Sequence, residues 1–418
     1  MNTIIAGIEN SQANFDYTME ELAALASADN LTVVKEIRQK LDQPVAATYF
    51  GKGKAEEIKT ASEIYNAQLL VVNDELTPTQ IRNLEAITDL TILDRTALIL
   101  EIFASRARTK EAKLQVQIAK LQYQLPRLQT GKKDQLDQQT AGNAGGGYTN
   151  RGAGETKLEL NRRVIQKRIS NLRKELKELT KNHEVQRQQR QKNQLKTVAL
   201  VGYTNAGKST TMNQILALTG AKQSKQVFEK DMLFATLDTA VRKISLDDKK
   251  EFLLSDTVGF VSKLPHQLVK SFRATLEEAA QADLLIQVID GADEHAKEMI
   301  ATTEATLKEI GVTDIPMIYA YNKADKSQLA YPVAEGNQIT YSARQVESIE
   351  LLLELIKKEL FKDYEEHTYL IPYDQGRYLD LLNQQASISK QDYLEAGYLV
   401  KAEVAPKLAG QLAQFLND

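Results

Sequence analysis

The chain has no cysteine among its 418 residues. That excludes a disulfide framework, a thiolate nucleophile and a cysteine metal site. Long hydrophobic runs are also missing: no stretch of 18 apolar residues occurs, and no basic region precedes the apolar residues at Met1–Gly7. Neither a transmembrane helix nor a signal peptide is therefore expected, and the expected location is the cytoplasm. A strong net charge is lacking too, at −3 overall. With 42% apolar residues, the chain can build two or three domains with cores of their own.

The near-neutral total hides a strong asymmetry. Residues 106–196 hold 22 Lys plus Arg against 8 Asp plus Glu, a net of +14, which leaves −17 for the rest. A basic element in an otherwise acidic protein is the electrostatic footprint of polyanion binding, although solvated helical faces also carry many lysines. The same stretch holds two apolar seams, Leu114, Ile118, Leu121, Leu125, Leu128 and Ile165, Ile169, Leu172, Leu176, Leu179. Both have 4, 3, 4, 3 spacing, which predicts two helices paired as an antiparallel coiled coil. The run Gly131–Gly154 between them is too glycine-rich for a regular element and predicts the tip of the hairpin. Pro126 is expected to kink or end the first helix.

What is present is a phosphate-binding pattern. Gly202, Tyr203, Thr204, Asn205, Ala206, Gly207, Lys208 and Ser209 fit G-x-x-x-x-G-K-[ST]. The apolar run Val198–Val201 predicts a buried strand before the loop, and Thr210–Leu218 a helix after it. Glycines allow successive backbone N–H groups to face an anion, and the helix N-terminus adds its positive dipole end. Lys208 is placed to reach the β- and γ-phosphates, and the Ser209 hydroxyl to hold Mg²⁺.

The base is read further on. Asn322, Lys323, Ala324 and Asp325 follow the apolar run Pro316–Tyr321. An Asp325 carboxylate can accept hydrogen bonds from the guanine N1–H and 2-amino group; adenine lacks that pair of donors and would leave it unpaired. Ser342, Ala343 and Arg344 predict a turn whose backbone N–H meets the guanine O6. The expected ligands are therefore GTP and GDP.

Between these motifs, Asp256, Thr257, Val258 and Gly259 follow the run Glu251–Ser255. Asp256 is expected to hold Mg²⁺ through water, and the Gly259 N–H to meet the γ-phosphate. In Phe234, Ala235, Thr236, Leu237 and Asp238, Thr236 is the candidate switch threonine that closes on Mg²⁺ when the γ-phosphate is present. Thr239 is nearby, and no charge pattern separates the two. Lys208, Thr236 and Gly259 are thus the catalytic candidates. Phe260 stands where a glutamine would orient the attacking water, so slow intrinsic hydrolysis is expected. An Asn205 side-chain oxygen beside the β–γ bridge is a candidate K⁺ ligand.

At this point the chain resembles the HflX family of ribosome-associated, translation-factor-related GTPases. The resemblance is carried by Asn73-Asp-Glu-Leu-Thr-Pro-Thr-Gln80, Asp94-Arg-Thr96, Lys113-Leu-Gln-Val116 and Arg151-Gly-Ala-Gly-Glu-Thr156. Ala153 departs from the family's proline. The resemblance covers roughly residues 1–370. It implies binding to the large ribosomal subunit and its rRNA, with splitting or rescue of stalled or idle ribosomes. It also implies ATP binding in some members through the region before the GTPase domain. A ribosome-assembly GTPase, an ATP-driven RNA remodeller regulated by GTP, and a scaffold whose GTP state controls protein binding are the alternatives. A second P-loop is missing from the N-terminal half, which weighs against the ATP motor.

The expected fold is α/β. An N-terminal α/β domain covers 1–108, with strands at Thr3–Ile8, Leu31–Ile37, Ala46–Phe50, Leu69–Val72 and Thr91–Leu93. An antiparallel helical hairpin follows at 109–195 with its glycine-rich loop at 131–154. A P-loop GTPase domain covers 196–364, and a small α+β domain 365–418, with strands at Thr368–Pro372 and Tyr398–Val404. The turn Gly51–Lys54 is a weaker candidate for phosphate or RNA. Nothing points to an obligate dimer, so a monomer is expected.

Overall fold

The computed structural model describes residues 1–10, 14–128, 159–179, 195–220, 240–257, 259–263, 279–327 and 330–417. The chain divides into two compact units. The first contains the described residues up to 179 together with 259–263, and the second contains the remainder.

In the first unit, β1 (Asn2–Glu9), β2 (Thr32–Lys40), β3 (Leu69–Val72) and β4 (Thr91–Asp94) form a parallel sheet in the order β2-β1-β3-β4. Ile4, Ala6, Leu70 and Val72 are buried in its core with Phe50, Ile58 and Leu84 from the crossovers. Residues 46–50, expected as a strand, are not one: a single bridge pairs Val45 with Tyr49. Tyr49 has φ 62°, which breaks an extended run, and the Thr48 hydroxyl donates to the Phe50 carbonyl at 2.6 Å. Gly51 then caps the helix Lys52–Tyr65.

The motif at 73–80 is a clamp. Thr77 and Gln80 form a capping box on the helix Pro78–Thr88, with Pro78 in its first turn. Gln80 Nε2 also donates to the Val45 carbonyl at 3.1 Å. The Asp94-Arg95 pair extends the clamp. Asp94 caps the next helix, Arg95–Arg106, through Ala97 N–H at 2.8 Å, and accepts from Leu76 N–H at 3.0 Å and from Arg127 at 2.9 Å.

The hairpin helices run over Lys110–Arg127 and residues 159–179. Ile118, Leu121 and Ile169 form their shared core, with Ile165, Leu172 and Leu176 packed against it. Lys110 and Glu175 bridge the two helices at 2.6 Å. Pro126 sits one residue before the end of its helix, where the missing N–H costs a single bond. The glycine-rich tip and the polar stretch 183–194 lie outside the described residues.

The second unit has a seven-stranded sheet, completed by β5 (Lys196–Val201), β6 (Ala240–Ser245), β7 (Glu251–Asp256), β8 (Leu284–Asp290), β9 (Met317–Asn322), β10 (Val333–Glu335) and β11 (Gln338–Thr340). Their order is β10-β11-β9-β8-β5-β7-β6, with β6 and β10 antiparallel to their neighbours. Val198, Leu200, Leu254, Ile286 and Ile318 fill its core.

The same unit carries a small antiparallel sheet, β12 (Glu365–Ile371), β14 (Gly397–Val404) and β13 (Ser387–Leu394), covered by the helices Gly376–Gln385 and Pro406–Leu412. Strand β13 was not expected; its Ser, Lys, Gln and Asp residues have weak strand preference and it lies on the sheet's edge. Among the described residues, no helix is long and apolar enough to cross a membrane.

Candidate nucleotide site

Three motifs meet because their strands belong to one parallel run, β9-β8-β5-β7, in which β8 separates β9 from β5. Strand β5 ends at Val201, β7 at Asp256 and β9 at Asn322, and all three point the same way. Ligands of open parallel sheets bind at this carboxyl edge, where loops leave the strands and helices begin.

The loop after β5 is fixed by contacts that only glycine satisfies. Gly202 has φ +138°, and a Cβ there would lie 2.2 Å from the Val288 carbonyl oxygen. Gly207 has φ +99°, and a Cβ there would lie 2.1 Å from Asn322 Nδ2. Its left-handed backbone starts the helix at Lys208, two residues earlier than the apolar pattern suggests. Tyr203, Thr204 and Ala206 are buried, whereas Asn205 is exposed and also left-handed, with φ 61°. Thr210 is half-buried in the first helical turn.

Lys208 is buried, and its ammonium donates to the Gly202 carbonyl at 3.0 Å and the Tyr203 carbonyl at 2.7 Å. Burial brings this lysine down to about 8, while Asp256 pulls it partly back. Bound phosphates would favour the ammonium and raise it again. Nucleotide affinity is then level below about pH 8 and falls above it, as binding must take up a proton. A titration with fluorescent GDP should give about tenfold weaker binding at pH 9 than at pH 7. Equal affinity at both values would mean that Lys208 takes up no proton when the nucleotide binds.

Ser209 Oγ donates to Asp256 Oδ2 at 2.7 Å, which ties the first helical turn to the end of β7. Thr257 Oγ1 donates to the Leu200 carbonyl at 2.7 Å and locks that strand end to β5. A serine hydroxyl beside an aspartate is an all-oxygen donor pair that suits Mg²⁺, which takes its other ligands from phosphate and water. Among the described residues, no group of three or more His, Cys, Asp or Glu could hold a metal alone.

Asn322 reads as a structural tie. Its Nδ2 donates to the Ala206 carbonyl at 2.9 Å, and its Oδ1 accepts from Ala343 N–H at 2.8 Å. One side chain thus joins the phosphate loop to the 342–344 turn. Lys323, with φ 65°, pairs with Asp290 at 2.6 Å, a partner at the end of β8 that the motif reading missed. Ala324 is buried, and Ser342 Oγ donates to Asp325 Oδ1 at 2.6 Å. That bond orients the carboxylate. Arg344 N–H donates to Ser342 Oγ at 3.4 Å. Beneath the loop, the Thr211 and Tyr341 hydroxyls lie 2.7 Å apart, a second tie without a local sequence signal.

Gly259 and Phe260 are buried and belong to the first unit. Phe260 is thus a core side chain rather than a residue facing solvent. Two residues on, Ser262 enters a buried network: its N–H donates to Glu21 Oε1 at 3.2 Å, and its hydroxyl donates to Glu21 and lies 2.8 Å from Arg95. Arg95 pairs with Glu21 and donates to Asn73 Oδ1 at 2.9 Å. A buried ion pair is tolerable only when such bonds satisfy it, which accounts for the Asn73 and Arg95 positions of the two N-terminal motifs. Lys263 pairs with Asp74, which also accepts from the Tyr49 hydroxyl. Phe234, Ala235, Thr236, Leu237, Asp238 and Val258 lie outside the described residues.

Comparison with known proteins shows the family. A family described as 50S ribosome-binding GTPase matches residues 197–323. Families described as GTP-binding GTPase N-terminal and GTP-binding GTPase Middle Region match 16–104 and 106–190. GTPase HflX of Caldanaerobacter subterraneus is 45% identical over 399 residues, covering 96% of this chain and 90% of that protein. The chain belongs to the HflX family of GTPases. It is a P-loop GTPase of mixed α/β fold, and residues 73–80 and 94–96, which carry the resemblance, form the clamp and buried network described above. GTPase HflX of Escherichia coli K12 is 37% identical over 385 residues, covering 91% of this chain and 87% of that protein. Among solved structures, the complex of SsGBP with GDP covers 87% of this chain and 99% of its own, with 26% identity and a TM-score of 0.47.

Proposed function

We propose that this HflX-family GTPase acts on ribosomes: it binds the large subunit in its GTP form and splits or rescues stalled or idle particles. The observation that carries this reading is the basic hairpin. On the helix 159–179, Arg162, Arg163, Lys167, Arg168, Arg173, Lys174 and Lys177 are all exposed, while Ile169 is buried against the partner helix. The apolar seam is spent on pairing the helices, so the charge is left for a polyanion. Ribosomal RNA supplies one, and such binding weakens steeply with salt. The match of residues 197–323 to a 50S ribosome-binding GTPase family supports the same partner.

In this reading Lys208 neutralises the β- and γ-phosphates, and Asp325 selects guanine. Mg²⁺ would be held by Ser209 and Thr236, with Asp256 acting through water; it would offset charge on the transferred phosphoryl group. The Gly259 N–H would meet the γ-phosphate. Within the first unit, Ser262 is bonded to Glu21 and Arg95, and Lys263 to Asp74. The domain limits 1–108, 109–195, 196–364 and 365–418 serve the same reading: sheet and hairpin toward RNA, GTPase domain as timer. Sedimentation with ribosomes in different nucleotide states tests it: the protein is expected to travel with the large subunit only in its GTP form.

Asn205 is the proposed K⁺ ligand. Its side chain is exposed on a left-handed turn of the phosphate loop. GTP turnover is expected to rise when Na⁺ is replaced by K⁺, and Asn205→Ala to erase the difference. Equal turnover of the wild type in both salts would retire the cation site.

A further inference from the structure

We infer that a tyrosine ledge at one end of the C-terminal sheet docks a basic protein of the large ribosomal subunit. This rests on the ribosomal reading above and names a second class of contact for it. The ledge is built across three strands. Tyr393 on β13 lies opposite Tyr398 on β14, and Tyr398 lies opposite Ile371 at the end of β12. Tyr373 follows β12 directly. Ring centroids are 4.8 Å apart for Tyr373 and Tyr398, and 5.5 Å for Tyr393 and Tyr398, both edge-on.

These rings are presented, not packed away. Tyr393 is 72% exposed, Tyr373 51% and the adjoining Leu394 45%. Tyr398 shares its side of β14 with Val400, Ala402 and Val404, which lie in the domain's core beneath the helices. The ledge therefore continues the core face beyond the helices that cover it. Its support is rigid. The Tyr373 hydroxyl donates to the Leu394 carbonyl at 2.7 Å. Gly397 has φ +146°, and a Cβ there would lie 2.2 Å from the Ile371 carbonyl oxygen, so the hairpin end is pressed against β12. Single exposed apolar residues are ordinary, but a rigid cluster of aromatics is the composition of an interface centre.

Charge selects the partner. Residues 365–418 hold 4 Lys plus Arg against 8 Asp plus Glu. Asp374 and Glu395 flank the ledge and are exposed; Asp392 beside it is paired with Lys390 at 2.7 Å. Phosphate would be repelled here and has the basic hairpin instead. Lysine and arginine side chains fit both features, since ring faces attract cations and the carboxylates complement them. Proteins that themselves hold rRNA carry such charge.

The test uses full-length protein and purified large subunits. Tyr373→Ala with Tyr393→Ala is expected to weaken large-subunit affinity by about tenfold. Basal GTP turnover should stay unchanged, as neither residue belongs to the nucleotide site. Tyr393→Phe should keep the wild-type affinity. A photoreactive phenylalanine analogue at position 393 should crosslink to a basic subunit protein, which tests the ledge even if the double variant is unstable. Crosslinking to rRNA, or unchanged affinity in a folded double variant, overturns the proposal while the ribosomal reading stands. Absence of wild-type binding to large subunits removes that reading and this proposal with it.

Discussion

A variant with Lys208→Ala is expected to lose GTP turnover by at least about 10²–10³-fold, the effect of deleting one preorganised donor to a developing charge. Lys208 is buried and its ammonium rests on the Gly202 and Tyr203 carbonyls, so the charge sits inside the loop that would cradle the phosphates. In such a low-dielectric setting a phosphate contact is far stronger than in water. The fold should survive. Among the described residues the lysine bonds to loop carbonyls, whereas the loop's shape is held by Gly202 against Val288 and by Asn322 against Ala206. Single-turnover hydrolysis with a melting curve on the same sample measures both. Wild-type turnover in the variant would mean that the loop does not bind the reacting phosphates.

Asp325→Asn is expected to exchange one nucleotide for another. The carboxylate accepts from the guanine N1–H and 2-amino group, and charged hydrogen bonds of this kind account for about 1.5–3 kcal/mol each. Losing the acceptor pair should weaken GTP by about 10²–10³-fold. Xanthosine triphosphate should then bind, since the amide can donate to the 2-oxo group that the carboxylate repels. Ser342 Oγ donates to Asp325 Oδ1, and an asparagine oxygen can accept the same bond, leaving the amide nitrogen toward the base. Competition titrations with the two nucleotides measure the exchange. Unchanged GTP affinity would take Asp325 out of the base pocket.

The parts legible in the sequence are those fixed by local rules. Strand β3 was expected at Leu69–Val72 and is found there, because four consecutive apolar residues between polar turns have few other uses. The hairpin helices announced themselves through the seam around Ile118, Leu121 and Ile169. Strand β13 stayed hidden because its polar edge residues read as loop, and residues 46–50 misled because Tyr49 turns left-handed within an apolar run. In the candidate site, Gly202 and Gly207 could be read because backbone geometry admits nothing else there. The ties that hold the site together could not. Asn322 to Ala206 and Thr211 to Tyr341 span 116 and 130 residues, and no local pattern encodes a contact at that range.

The central step is a GTP-dependent encounter between this protein and the large ribosomal subunit. Sucrose-gradient sedimentation of ribosomes with the protein and GTP, GDP or a non-hydrolysable GTP analogue measures it directly. The protein is expected to travel with the large subunit when the analogue is present, to shift whole ribosomes toward free subunits with GTP, and to be released with GDP. Raising the salt should weaken the association steeply. Sedimentation of the protein at the top of the gradient in every nucleotide state would contradict the account.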